Sequence, residues 1–170
     1  MNLVLIGYRG AGKSVIARRL GRMLGRPVVS LDNEIVRLAG KSIPDLVVER
    51  GWGDFRDLEE QICRRFGAHD GQIIDCGGGV VEREANVVAL REHGRVFWLK
   101  ATPASIVARI GRDGNRPSLT GGKSFTEEIS EVLQRRGPLY QAVAHEAIDT
   151  DGRSVADITA EIAQRWRNGG

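Results

Sequence analysis

Short apolar runs alternate with helically spaced ones along the whole chain. Residues 3–6 are apolar throughout, as a strand buried on both faces requires. Residues 13–24 carry a helical pattern that ends at Gly25, with Pro27 just beyond. A second strand is predicted at 28–31, and helical patterns follow at 32–39, 44–50 and 54–66. Ser42 and Pro44 suit a helix start, because proline is tolerated in the first turn. A third strand at 72–76 runs into Gly77-Gly78-Gly79, and a helix is predicted at 84–92. The fourth strand covers 95–99, and Thr102-Pro103 opens another helix. Residues 111–123 are glycine-rich, polar and aperiodic. Helices at 125–136 and 139–145, a last strand at 147–149 and a closing helix at 155–166 complete the pattern. Strands and helices alternating in this way predict a parallel sheet covered by helices on both faces, a three-layer α/β arrangement.

No repeat, low-complexity tract or linker interrupts the pattern, so residues 1–170 read as one domain. Hydrophobic residues make up 41% and charged residues 28%, with a formal net charge of +3. The basic residues are dispersed and do not form the patch of a nucleic-acid binder. No apolar run approaches the roughly 20 residues that span a bilayer, and no secretory leader is expected. Cys63 and Cys76 have neither metal-type spacing nor a disulfide framework. These features predict a cytoplasmic protein without a membrane or nucleic-acid partner, and nothing suggests an interface beyond a monomer.

The strongest chemical signal is Gly7-Tyr8-Arg9-Gly10-Ala11-Gly12-Lys13-Ser14, a P-loop placed between a strand and a helix. Its glycines let backbone N–H groups approach phosphates closely, and the helix N-terminus favours anions. Gly10, Ala11, Gly12, Lys13, Ser14 and Val15 are therefore candidate nucleotide contacts. Lys13 is expected to reach the β- and γ-phosphates of ATP, and the Ser14 hydroxyl to ligate Mg²⁺. This motif alone leaves a kinase, a hydrolase and a nucleotide-sensing module open.

Other residues narrow the choice only in combination. Asp32, after the second strand, is either a helix-capping residue or an acceptor-side base. Arg56 and Glu59 lie three apart on one helical face, as a surface ion pair or as a positioned guanidinium. Gly77-Gly78-Gly79 is either a flexible strand exit or a place of close approach. Arg135-Arg136-Gly137-Pro138-Leu139-Tyr140 joins two predicted helices.

In order and spacing, the P-loop, Asp32, Gly40-Lys41-Ser42-Ile43, Phe55-Arg56, the glycine triplet, Arg116-Pro117 and Arg136-Gly137-Pro138-Leu139-Tyr140 resemble the shikimate kinase family across nearly the whole chain. The resemblance implies five parallel strands in the order 2-3-1-4-5. It also implies transfer of the ATP γ-phosphoryl to the 3-hydroxyl of shikimate, on the route to chorismate and the aromatic amino acids. Asp32 would orient the hydroxyl and take its proton, and Arg56 and Arg136 would clamp the carboxylate. Gly78 would offer a backbone N–H, with Glu59 behind Arg56. Residues of about 32–66 would form the substrate-binding region and about 111–124 a mobile lid carrying Arg116 onto the phosphates. Arg109 and Arg153 match positions that flank the adenine. A kinase for another carboxylate metabolite, such as gluconate, and a non-catalytic nucleotide sensor remain as alternatives.

One departure stands out. The family places two aspartates around the end of the second strand, one residue apart, and here the segment is Ser30-Leu31-Asp32. The missing carboxylate helps hold hydrated Mg²⁺ in that family. Asp75, where relatives carry a small residue, is a candidate to replace it from the third strand, or else a strand-end aspartate capping local backbone.

Overall fold

The computed structural model describes residues 1–110 and 124–169. Strands β1 (Asn2–Ile6), β2 (Val28–Ser30), β3 (Ile73–Asp75), β4 (Gly94–Lys100) and β5 (Glu146–Asp149) form a parallel sheet in the expected order β2-β3-β1-β4-β5. The helices are α1 (Lys13–Leu24), α2 (Leu31–Ala39), α3 (Ile43–Gly67), α4 (Glu84–Glu92), α5 (Pro103–Ile110), α6 (Phe125–Val143) and α7 (Val155–Asn168).

The unbroken apolar run of β1 is explained by what lies on each side of it. Leu3 and Leu5 pack with Ile16, Leu20, Ile158 and Ile162, beneath α1 and α7. Val4 and Ile6 point the other way, among Ile35, Leu46, Ile62 and Tyr140 from α2, α3 and α6. All four β1 side chains are fully buried, each contributing about 1.5–3 kcal/mol by leaving water. A central strand fixed from both faces gives the loop after it a rigid base.

Two element boundaries differ from the sequence expectation, each for a local reason. β2 stops at Ser30, because its hydroxyl accepts a hydrogen bond from the Asn33 N–H at 3.4 Å and starts α2 at Leu31. The two helices expected at 44–50 and 54–66 are present as the halves of α3, broken at Gly51 by its non-helical φ of 82° and ψ of 171°. The two helices expected around Gly137-Pro138 are one continuous α6. Proline there removes a helix hydrogen bond at a cost of about 3 kcal/mol. Burial of Val132, Tyr140 and Val143 along the same helix offsets that loss.

The register puts the functional loops together. Asp75 at the end of β3 pairs with Leu5 of β1 on one side and Ser30 of β2 on the other. The P-loop, the start of α2 and the glycine triplet therefore leave the sheet side by side at the carboxyl edge, where open α/β sheets bind ligands. Among the described residues, no helix is long and apolar enough to cross a membrane.

Candidate active site

The P-loop wraps over the start of α1. Gly10 and Gly12 have φ of 81° and 91°, so both positions need glycine. A Cβ on Gly7 would lie 2.6 Å from the Leu99 carbonyl oxygen, which brings the loop hard against β4. Ala11 is buried and donates its N–H to the Tyr8 carbonyl at 3.1 Å, while Val15 in the first turn of α1 is exposed. Lys13 is buried, and its Nζ donates to the carbonyls of Gly7 at 2.8 Å and Tyr8 at 3.0 Å. Burial pulls its pKa below the usual lysine value, and the charges of Asp75 and Asp32 act against that pull. The ammonium thus sits inside the loop with acidic groups close by.

Ser14 donates its hydroxyl to Asp75 Oδ2 at 2.6 Å. Asp75 is 6% exposed. Burial raises its carboxyl above the usual range, opposed by the Ser14 hydrogen bond and the Lys13 charge. A hydroxyl and a carboxylate this close, at the foot of the phosphate loop, form an oxygen-only pair of the kind Mg²⁺ prefers. Ser30, the β2 neighbour of Asp75, turns its hydroxyl to capping α2. Among the described residues there is no cluster of three or more His, Cys, Asp or Glu side chains suited to a metal.

Asp32, Arg136 and Arg56 converge on the glycine triplet, and each glycine makes room for a different one. A Cβ on Gly77 would lie 2.7 Å from Asp32 Oδ1. One on Gly78 would lie 3.4 Å from Arg136 Nη1 and 3.3 Å from the Arg9 backbone nitrogen. One on Gly79 would fall within 2.2 Å of Arg56 Nη2. The triplet is therefore crowded by the site's own side chains, in contrast to a loose strand exit. The Gly79 backbone, with φ −94° and ψ 8°, is open to any residue. Gly79→Ala adds no backbone strain, but its methyl group pushes the Arg56 guanidinium out of its buried pair with Glu59, so the melting temperature is expected to fall. A ligand carboxylate held by that guanidinium should bind about tenfold more weakly, the value of one charge-assisted contact; steady-state kinetics beside a melting curve checks it.

Arg56 and Arg136 are both largely buried. Arg56 Nη1 donates to Glu59 at 2.7 Å, and its guanidinium lies 5.1 Å from the Phe55 ring centroid and 5.7 Å from that of Trp52. Glu59 is itself buried and also receives the Asn86 amide at 3.4 Å. Burial raises the Glu59 carboxyl and the Arg56 charge opposes it. The pair is an anchored guanidinium rather than a solvated ion pair.

Between the two arginines lies a residue that the sequence patterns do not single out. Glu82 closes a short 3-10 turn, Val80–Glu82, directly after the triplet. Its Oε2 accepts from Arg56 Nη2 at 3.1 Å, and its Oε1 accepts from Arg136 Nε at 2.8 Å and Arg135 Nη2 at 2.9 Å. Partial burial works against its charge, and the Arg136 contact followed by Arg56 and Arg135 outweighs it, holding its carboxyl below the usual range. No spacing rule links residue 82 to residues 56 and 136. Tyr140 was legible only as part of a motif. Its buried hydroxyl donates to the Gly78 carbonyl at 2.5 Å, and its ring stacks on Trp98 with centroids 5.7 Å apart.

Arg109 and Arg153 each bond to the backbone near the end of β5. Arg109 donates to the Thr150 carbonyl at 2.9 Å and to the Gly10 carbonyl of the P-loop at 3.4 Å. Arg153 donates to the Asp149 carbonyl at 3.0 Å and pairs with Glu161 at 2.6 Å. Arg116 and the expected lid at about 111–124, apart from its last residue, Ser124, lie outside the described residues.

A model of the family described as shikimate kinase matches residues 9–167. A shikimate kinase of Symbiobacterium thermophilum is 37% identical over 171 residues, covering 100% of this chain and 98% of its own. One of Nitratidesulfovibrio vulgaris is 39% identical, with 94% of each chain covered. The solved shikimate kinase of Acinetobacter baumannii in complex with shikimate superposes with a TM-score of 0.92 at 30% identity, over 98% of this chain and 93% of that one. On sequence, on fold and over its full length, this chain belongs to the shikimate kinase family.

Proposed function

We propose that the chain transfers the γ-phosphoryl group of ATP to the 3-hydroxyl of shikimate, yielding shikimate 3-phosphate and ADP. One observation carries the acceptor side. Arg56 and Arg136 stand close enough to hold a single carboxylate between them, as they do that of Glu82 at 3.1 and 2.8 Å. Arginine suits such a planar, two-pronged contact. Asp32, packed against Gly77 and within the electrostatic reach of Lys13, lies where an acceptor hydroxyl would meet the phosphate loop.

In this reading the shikimate carboxylate fixes the ring on Arg56 and Arg136. The Gly78 N–H would be offered to the substrate, and Tyr140 holds the neighbouring peptide through the Gly78 carbonyl. The shikimate 3-oxygen attacks the γ-phosphorus as the bond to the β–γ bridging oxygen breaks, and Asp32 receives the hydroxyl proton. Lys13 and the P-loop amides of Gly10 to Val15 hold the phosphates, and Arg116, outside the described residues, is assigned to them by the family resemblance alone. Arg153 and Arg109 border the adenine. Ser14 and Asp75 would hold Mg²⁺, which when bound neutralises phosphate charge. Most of the work is positioning and electrostatics. Residues of about 32–66 form the substrate-binding region of one kinase domain, acting as a monomer in the cytoplasm.

The test is ADP release from MgATP with shikimate, gluconate or no acceptor. Shikimate alone should support turnover, and Arg136→Ala should lower kcat/KM by about tenfold to a hundredfold, the loss of a charge-assisted contact. ADP release indifferent to shikimate would leave only nucleotide binding.

A further inference from the structure

Arg56 and Arg136, the arginines assigned to the substrate carboxylate, already hold the carboxylate of Glu82. Both terminal nitrogens of Arg56 are engaged, Nη1 by Glu59 at 2.7 Å and Nη2 by Glu82 at 3.1 Å. Each of these nitrogens keeps a second N–H, but a substrate carboxylate arriving there meets the negative charge of both glutamates. Binding is favoured when one of them gives way, and they differ in freedom. The Glu59 side chain is 2% exposed and is also bound by Asn86. The Glu82 side chain is 26% exposed and sits on a single short turn.

Glu82 also has somewhere to go. Arg135, with a side chain 64% exposed, donates to the same Oε1 that Arg136 reaches. When Arg56 and Arg136 turn to another anion, Arg135 can keep the Glu82 carboxylate paired at the rim. No charge is left buried without a partner at any stage of the exchange, which is what makes it inexpensive.

We propose that Glu82 is a resident competitor for the substrate carboxylate: it occupies the Arg56–Arg136 clamp, is displaced onto Arg135 when shikimate binds, and so sets the affinity and acceptor selectivity of the site. The proposal rests on the shikimate reading above. An acceptor without a carboxylate offers the arginines nothing in exchange for Glu82 and leaves the clamp closed. An acceptor with one binds with an affinity reduced by the fraction of clamps that Glu82 holds.

Glu82→Gln keeps the size of the side chain and removes its charge. Shikimate affinity, by KM and by calorimetry without nucleotide, should tighten about fivefold or more, while kcat and the KM for ATP move far less. Glu82→Ala should shift affinity in the same direction, with melting curves confirming that each variant is folded. A looser KM or a large fall in kcat would show that Glu82 positions the arginines, and an unchanged KM would show that it does not compete; either overturns the proposal. So would failure of both variants to fold. Absence of shikimate-dependent turnover in the unaltered chain is a separate outcome, which refutes the functional reading itself.

Discussion

Lys13→Met is expected to lower shikimate-dependent kcat by about 10²–10³-fold, the usual loss when one preorganised donor to a developing charge is removed. Thermal stability should be unchanged or higher. The ammonium lies buried beneath the P-loop, held by two carbonyls at 2.8 and 3.0 Å. Burial works against its charge there, as its lowered pKa records. The fold therefore bears a cost for keeping a cation in this place. Methionine has nearly the same length and no charge to desolvate, which offsets the lost hydrogen bonds to the Gly7 and Tyr8 carbonyls and the lost attraction to Asp75. Single-turnover kinetics beside a melting curve separates the two effects. A variant that retains more than a tenth of the wild-type rate would remove Lys13 from phosphate stabilisation.

The second large effect concerns Asp75. Asp75→Ser should raise the Mg²⁺ concentration needed for half-maximal activity at least tenfold, as lesser changes around a bound metal do. It should also reduce kcat at saturating metal by about 10²-fold, because a metal ion contributes several kcal/mol of charge stabilisation. Asp75 is nearly buried and accepts a hydrogen bond from the Ser14 hydroxyl, which points it at the phosphate loop. The double variant Ser30→Asp with Asp75→Ser sharpens the test. Residues 30 and 75 are direct neighbours across β2 and β3, so the double change returns a carboxylate to the second strand without moving the sheet. Aspartate caps a helix as well as serine does, so α2 should not suffer. The metal requirement should recover in the double variant. An unaltered Mg²⁺ titration in Asp75→Ser would end the idea that the third strand supplies this group.

These experiments address different parts of one site. In the proposed reading, Lys13 and Asp75 belong to the phosphate end, whereas Gly79, Arg136 and Glu82 belong to the acceptor end. A fault at one end should leave ligand binding at the other measurable. Gly79→Ala and Glu82→Gln make the sharpest contrast, since both act on Arg56. The first moves its guanidinium with a methyl group and should weaken the acceptor. The second frees its Nη2 and should tighten it.

Much of this was written in local sequence. Apolar runs of strand length alternating with helical periods implied a parallel sheet covered on both faces, because only such a sheet buries β1 from both sides. The P-loop was legible because its conformation depends on glycines at fixed spacing and on the strand and helix around it. Asp32, Arg56 and Arg136 stood out only through their combined order along the chain, since each alone reads as a cap or a surface charge. Local pattern misjudged the ends of β2 and the continuity of α6. At Ser30 a side-chain cap ended the strand early, and at Pro138 burial on both sides of the proline outweighed the lost hydrogen bond.

Which side chains meet was settled only in three dimensions. The sequence determined that a phosphate loop, an acidic residue and two arginines exist on suitable elements, because those signals lie within one turn, one helix face or one strand end. It could not place Asp75 on the Ser14 hydroxyl, 61 positions away, or assign one triplet glycine each to Asp32, Arg136 and Arg56. Nor could it put Glu82 between arginines 26 and 54 positions distant. Those contacts follow from strand order and register, which the chain settles by packing its whole core at once.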